Sequence, residues 1–223
     1  MSQFKSTDRA IEYLHNSNKR FANDDRIGAI NDYSKTIGVI PQSFSAYYNR
    51  GIAKDKLKDY RGALSDLGKA IEINSKHINL ILKCAIIKIK LNNYQDAIDD
   101  FNSLIIITPK DGSLYSSRGQ CKDKLNDHNG ALLDFTKAIE INPNDDNSYN
   151  NRGESKTKLN DYQGALNDFT KSIELNPHNA SASINRRTVK FQLFRFNHVF
   201  SYWQEASSLG DEEAKRLLKK HCK

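Results

Sequence analysis

"KLNDHNGALLDFTKAIEINP" (residues 124–143) returns 34 residues later as "KLNDYQGALNDFTKSIELNP" (158–177). Extended to the windows 112–145 and 146–179, the two copies agree at 19 of 34 positions. The same spacing finds "KLNNYQDAIDDFNSLIIITP" (90–109), "KLKDYRGALSDLGKAIEINS" (56–75) and "ANDDRIGAINDYSKTIGVIP" (22–41) upstream. Downstream it finds the degenerate "QLFRFNHVFSYWQEASSLGD" (192–211). A fixed period of this length predicts a solenoid, in which each repeat buries its apolar face only against its neighbours.

The pattern inside one repeat is helical. Tyr149, Gly153 and Leu159 mark one apolar stripe, and Ala165, Phe169 and Ile173, spaced by four, mark a second. "LNDYQG" between them reads as a polar turn, and "LNP" closes the repeat because proline cannot continue a helix. Each repeat is therefore expected to be two antiparallel helices, A and B. Small residues recur at Gly51, Ala85, Gly119 and Gly153 in helix A, and at Ala29, Ala63, Ala97, Ala131 and Ala165 in helix B. They let the two helices approach closely. The expected fold is all-α, an α–α superhelix of about six helix–turn–helix repeats forming one domain over 1–223. The repeats are 10–43, 44–77, 78–111, 112–145, 146–179 and a degenerate 180–213. "EEAKRLLKKHC" (212–222) reads as a capping helix, about 211–222, whose Leu217 and Leu218 close the last open face.

Composition agrees with a chain that folds in water. Charged residues make up 27% and hydrophobic ones 38%, with four prolines and eleven glycines, so a loop-rich or disordered chain is excluded. The charge of +7 is spread along the chain rather than gathered in a tail. Cys84, Cys121 and Cys222 are odd in number and far apart, and read as free thiols in a reducing, cytoplasmic setting. The N-terminal residues lack the apolar run of a secretory signal. "LILKCAIIKIKL" (80–91) is the most apolar stretch, but it is too short to span a membrane and carries Lys83, Lys88 and Lys90. No membrane insertion is expected.

The recurring residues resemble the tetratricopeptide repeat family. Its pattern appears as Tyr149, Gly153, Ala165, Phe169 and Pro177, and as Tyr115, Gly119, Ala131, Phe135 and Pro143. Repeat 44–77 has Tyr47, Gly51, Ala63 and Leu67 but Ser75 for Pro; repeat 78–111 has Ile81, Ala85, Ala97, Phe101 and Pro109. Repeat 10–43 keeps Tyr13, Ala29, Tyr33 and Pro41 with Ser17 for the small residue. Repeat 180–213 keeps Trp203 and Ala206 but has Arg187 where Gly belongs. The near-identical repeats and the ending look like bacterial members. The resemblance implies an adaptor, scaffold or co-chaperone-like module that binds a protein or peptide partner.

The resemblance also implies where binding occurs: in a concave groove lined by helix A. Within 80–91, Ile81, Ala85 and Leu91 take the core positions, while Leu82, Ile86 and Ile89 share a further face. With Leu14, Phe21, Tyr48 and Ile52 they form an apolar strip over the first three repeats. Polar groove positions include Asn18, Asn49, Lys83, Asn150 and Asn151. Such a strip marks a partner site, or is buried internally, with Phe4 one candidate to fold over it, or joins two copies in a homodimer. Some members of the family clamp a terminal carboxylate with Lys and Asn side chains. Here Leu14 and Asn79 stand where basic residues are needed, so that clamp is rejected.

Two ladders recur. Arg50, Arg118, Arg152 and Arg186 repeat in helix A, and Asp32, Asp66, Asp100, Asp134 and Asp168 in helix B. They read as Arg–Asp ties between helices, with an anion-binding ladder as the alternative. Lys56, Lys90, Lys124 and Lys158 form a basic ladder that either lines an inner surface for acidic partners or is simply solvated. RNA binding through these cations is the competing functional class, although few stacking aromatics accompany them. No metal-ligand spacing links His15, His77, His128, His178, His198 and His221, and no phosphate loop or nucleophile elbow occurs. The expectation is a non-catalytic protein without cofactor or metal.

Overall fold

A computed structural model describes residues 2–74 and 78–221, with side chains other than those of 2–7, 196 and 221. Expectations for the side chains of Phe4, Ser75, His77, His221 and Cys222 lie outside the described residues. Among the described residues the structure is all helical. Five antiparallel helix pairs come first: α1 (Ser2–Ala22) with α2 (Arg26–Val39), α3 (Phe44–Lys56) with α4 (Tyr60–Ile73), α5 (Ile78–Lys90) with α6 (Tyr94–Ile107), α7 (Gly112–Lys124) with α8 (His128–Ile141), and α9 (Asp146–Lys158) with α10 (Tyr162–Leu175). Then follow α11 (Ala180–Ser208) and α12 (Glu212–His221). The helices fall into two compact units, Met1–Pro109 and Lys110–Lys223.

Each pair is made by a turn shorter than "LNDYQG". One residue takes a positive φ, at Asp24, Lys58, Asn92, Asn126 and Asn160, each 34 apart. Asn and Asp tolerate this left-handed conformation better than most side chains. The next residue caps helix B. The carboxylates of Asp25, Asp59, Asp127 and Asp161 accept the backbone N–H of Gly28, Gly62, Gly130 and Gly164 at 2.9–3.0 Å. Such a cap contributes about 1 kcal/mol. Gly164 is thus already helical, and a Cβ there would collide with the Asp161 carboxylate. The α6 start departs consistently: Asp96 replaces the glycine, and Asn93 makes no side-chain cap bond.

Within a pair, the small residue of helix A meets the large one of helix B. A Cβ at Gly153 would stand 2.7 Å from the Phe169 ring, and one at Gly51 would stand 2.9 Å from Leu67. Beside this contact lies the Arg–Asp tie. Arg152 donates two hydrogen bonds to the buried Asp168 at 2.9 and 2.7 Å, and Lys156 joins at 2.8 Å. Arg50 and Lys54 hold Asp66 in the same way, and Arg118 and Lys122 hold Asp134. Buried pairs of this kind fix geometry more than they add net stability. In α5, Cys84 replaces the arginine, so Asp100 keeps only Lys88, at 2.6 Å. Burial pushes the Asp100 carboxyl up despite that lysine.

Two expectations change. The fully buried face of α5 is Leu80, Cys84, Ala85 and Ile87, not Ile81, Ala85 and Leu91. Leu80, Cys84 and Ile87 pack on Ala63, Leu67 and Ala70 of the preceding α4, so this face seals one helix pair to the next. The sixth repeat is not a helix pair: Ala180–Ser208 is one continuous 29-residue helix. At the turn, Phe194 stands where Asn160 takes its positive φ, and Arg195 stands where Asp161 caps. A bulky Phe disfavours the left-handed conformation and Arg offers no oxygen to cap helix B, so helix A runs on unbroken. The chain reverses only at Gly210 (φ 96°), after which α12 packs on α11 and buries Ala214.

Candidate functional site

In unit 1 the proposed strip divides. Leu14 and Phe21 are half-buried against Ala29, Tyr33 and Ala46. Tyr48 and Ile52 are half-buried against Leu67, Leu80, Cys84 and Ile87. These four are spent largely on packing neighbouring helices together. On α5, Leu82, Lys83 and Ile89 are half-buried, and Ile86 is 44% exposed. Phe44 and Tyr48 stack at 5.9 Å and, with Asn79 and Leu80, line a recess of about 230 Å³. Sequence reasoning missed Phe44, whose signal was its spacing of four from Tyr48.

The amides of unit 1 are tied to one another. Tyr33 donates to Asn18 Oδ1 at 2.7 Å, and Asn49 donates to the same oxygen at 3.1 Å, linking α2, α3 and α1. Asn18 and Asn49 thereby join three helices.

Unit 2 presents a polar surface. Asn150 is buried and donates to Glu154 at 2.8 Å, while Asn185 of α11 donates to Asn150 at 3.1 Å and to Glu154 at 2.9 Å. Two recesses lie side by side. One, of about 250 Å³, includes Glu154, Lys158, Phe169 and Thr188; the other, of about 200 Å³, includes Gln120, Asn151, Glu154 and Phe135.

The basic ladder alternates for a simple reason. Lys90 reaches back to Asp55 at 2.6 Å, and Lys158 reaches back to Asp123. The residues at the same offset from Lys56 and Lys124 are Phe21 and Ile89, which offer no charge. Both these lysines are exposed, and no carboxylate lies within ion-pair distance of either among the described residues. Burial alone would raise the Asp123 carboxyl, but hydrogen bonds from Lys158, His128 and Ser155 outweigh it and hold it below its usual range. Among the described residues no three His, Cys, Asp or Glu side chains gather as a metal site, and no helix is long and apolar enough to cross a membrane.

Comparison with known proteins agrees with this geometry. Tetratricopeptide repeat models match residues 44–77, 113–145 and 147–179. No curated protein sequence matches the chain. Among solved structures, MamA (residues 41 to the end) from Desulfovibrio magneticus RS-1 is 20% identical with a TM-score of 0.69, covering 78% of this chain and 98% of that one. YrrB, described as having an unusual peptide-binding site, is 20% identical with a TM-score of 0.70, covering 80% and 92%. A tetratricopeptide repeat protein from Parabacteroides merdae is 17% identical with a TM-score of 0.74, covering 90% and 80%. The matched 34-residue helix pairs are thus tetratricopeptide repeats, and the fold is that of solved tetratricopeptide repeat structures.

Proposed function

We propose that the protein is a non-catalytic interaction module, an adaptor or scaffold, that holds a peptide or partner helix on the helix A faces of unit 1. The reading rests on Ile86, 44% exposed on α5 with Leu82 and Ile89 beside it, where the equivalent positions of α7 and α9 are Gln120 and Glu154. An isoleucine left in water next to other apolar side chains is characteristic of a partner site. The Phe44–Tyr48 recess offers an anchor pocket on the same unit. The peptide-binding site of the structurally similar YrrB supports the class of ligand. Nucleic acid is the weaker reading, because Lys90 and Lys158 are committed to Asp55 and Asp123. The buried free thiols Cys84 and Cys121 support a reducing, cytoplasmic setting. The test is affinity capture from source-cell lysate at physiological salt with nuclease, using the native chain and a folded Ile86→Glu variant. A protein retained by the first and lost by the second is the expected result. Equal capture by both removes Ile86 from the site.

A further inference from the structure

We propose that the first half of α11 is a docking seat for an acidic α-helix of a partner protein, which completes the helix pair this chain leaves open. The seat lies in unit 2 and is independent of the groove reading for unit 1. In earlier pairs, helix B brings an Asp to two cations one turn apart on helix A: Asp66 to Arg50 and Lys54, Asp134 to Arg118 and Lys122, Asp168 to Arg152 and Lys156. The same register on α11 holds Arg186 and Lys190, with Arg187 beside them. The residue in the Asp place is Tyr202, on the same straight helix and about 18 Å beyond Lys190 at 1.5 Å per residue. Among the described residues no carboxylate lies within ion-pair distance of Arg186, Arg187 or Lys190. From Ala180 through Gln204 there are cations at Arg186, Arg187, Lys190 and Arg195, and neither Asp nor Glu.

Charge and shape decide the occupant. The chain's own distal half is excluded, because it would press Trp203 onto Arg187, at a place where even a Cβ on Gly153 stands 2.7 Å from a ring. Residues 180–204 of a second copy bring the same cations and no carboxylate. A helix with Asp or Glu at three- and four-residue spacing answers Arg186, Arg187 and Lys190 together. An apolar residue on that helix would cover Phe194, which is 66% exposed.

The test is a display library of amphipathic peptides, 14 residues long like α10. Positions on one face vary among Asp, Glu, Asn, Gln, Lys and Arg, and the library is panned on the full chain. Acidic residues at helical spacing are the expected selection. The selected peptide, measured by fluorescence anisotropy, is expected to lose about tenfold or more in affinity on Arg187→Glu, Lys190→Glu. Lys219→Glu, Lys220→Glu on α12 changes the net charge equally and is expected to keep the affinity. Circular dichroism melting confirms that both variants fold, and Arg187→Gln, Lys190→Gln replaces the first if it does not. Selection without acidic preference, or equal loss in the two charge variants, overturns the proposal. So does phosphatidylserine-vesicle binding, or dimerisation by light scattering, that depends on Arg187 and Lys190 while the peptide does not.

Discussion

Gly51→Ala and Gly68→Ala add the same methyl group to one helix pair, and only the second is expected to stabilise it. Both remove a helical glycine, a gain of about 1 kcal/mol from helix propensity. The Cβ at Gly68 on α4 meets nothing within 4 Å, so the gain is the whole effect. The Cβ at Gly51 on α3 stands 2.9 Å from Leu67 Cγ and Cδ2 and 3.3 Å from the Ala63 carbonyl oxygen. Leu67 is 0% exposed, so it has no solvent space into which to withdraw. Overpacking of this kind costs about 1–3 kcal/mol. The net effect at Gly51 thus runs from neutral to about 2 kcal/mol destabilising, and the two variants differ by the overpacking cost. Urea unfolding followed by far-UV circular dichroism reads the difference as a midpoint shift at constant slope. Thermal midpoints move about 2–4 °C per kcal/mol for a chain of this size. Equal stabilisation by both substitutions would refute the close approach of α3 and α4.

Asp123, held below the usual carboxylate range, gives stability that is present above its unfolded pKa of 3.8 and lost as the pH falls through its lower folded value; Asp123→Asn is expected to flatten that acid limb in pH-dependent melting. Cys84 and Cys121 are buried, and burial pushes both thiols up to about 11, so in a Cys222→Ser background iodoacetamide is expected to modify them only once the chain unfolds. Phe194→Asn, Arg195→Asp and Arg187→Gly together restore the missing turn; spin labels at Ser183 and Ser201, about 27 Å apart on a straight helix, are expected to move clearly closer in double electron–electron resonance.

The helix pairs were legible because their signals are local and repeated. Asn160 at the turn, Asp161 at the cap and Pro177 at the end act within a few residues of themselves. The Arg–Asp tie was legible for the same reason, since Arg152 and Asp168 lie 16 apart in every intact copy. The face by which α5 meets α4 was not. Leu80 and Ile81 are equally apolar, and only the packing of one pair on the next decides which is sealed. The straight course of α11 was readable in principle, from Phe194 and Arg195 in place of Asn and Asp. The period itself masked it, because a 34-residue register invites a sixth pair. The groove was the least legible, since Leu14 and Tyr48, read as groove residues, pack neighbouring helices with the same apolar chemistry that a groove would use.

Two of the seams between consecutive pairs, one in each unit, are built differently. In unit 1 Leu80, Cys84 and Ile87 close one seam, all apolar. In unit 2 Ser148 donates to Ser116 at 3.1 Å and Ser155 to Asp123 at 3.1 Å, so hydroxyls meet where side chains elsewhere are greasy. Apolar surface exposed on opening raises the heat capacity and polar surface lowers it. The α4–α5 seam therefore carries the larger heat-capacity increment and weakens on cooling, while the hydroxyl contacts between α7 and α9 respond less to cold. One chain thus holds two thermometers, a joint between α4 and α5 that slackens in the cold and a joint between α7 and α9 that barely registers it.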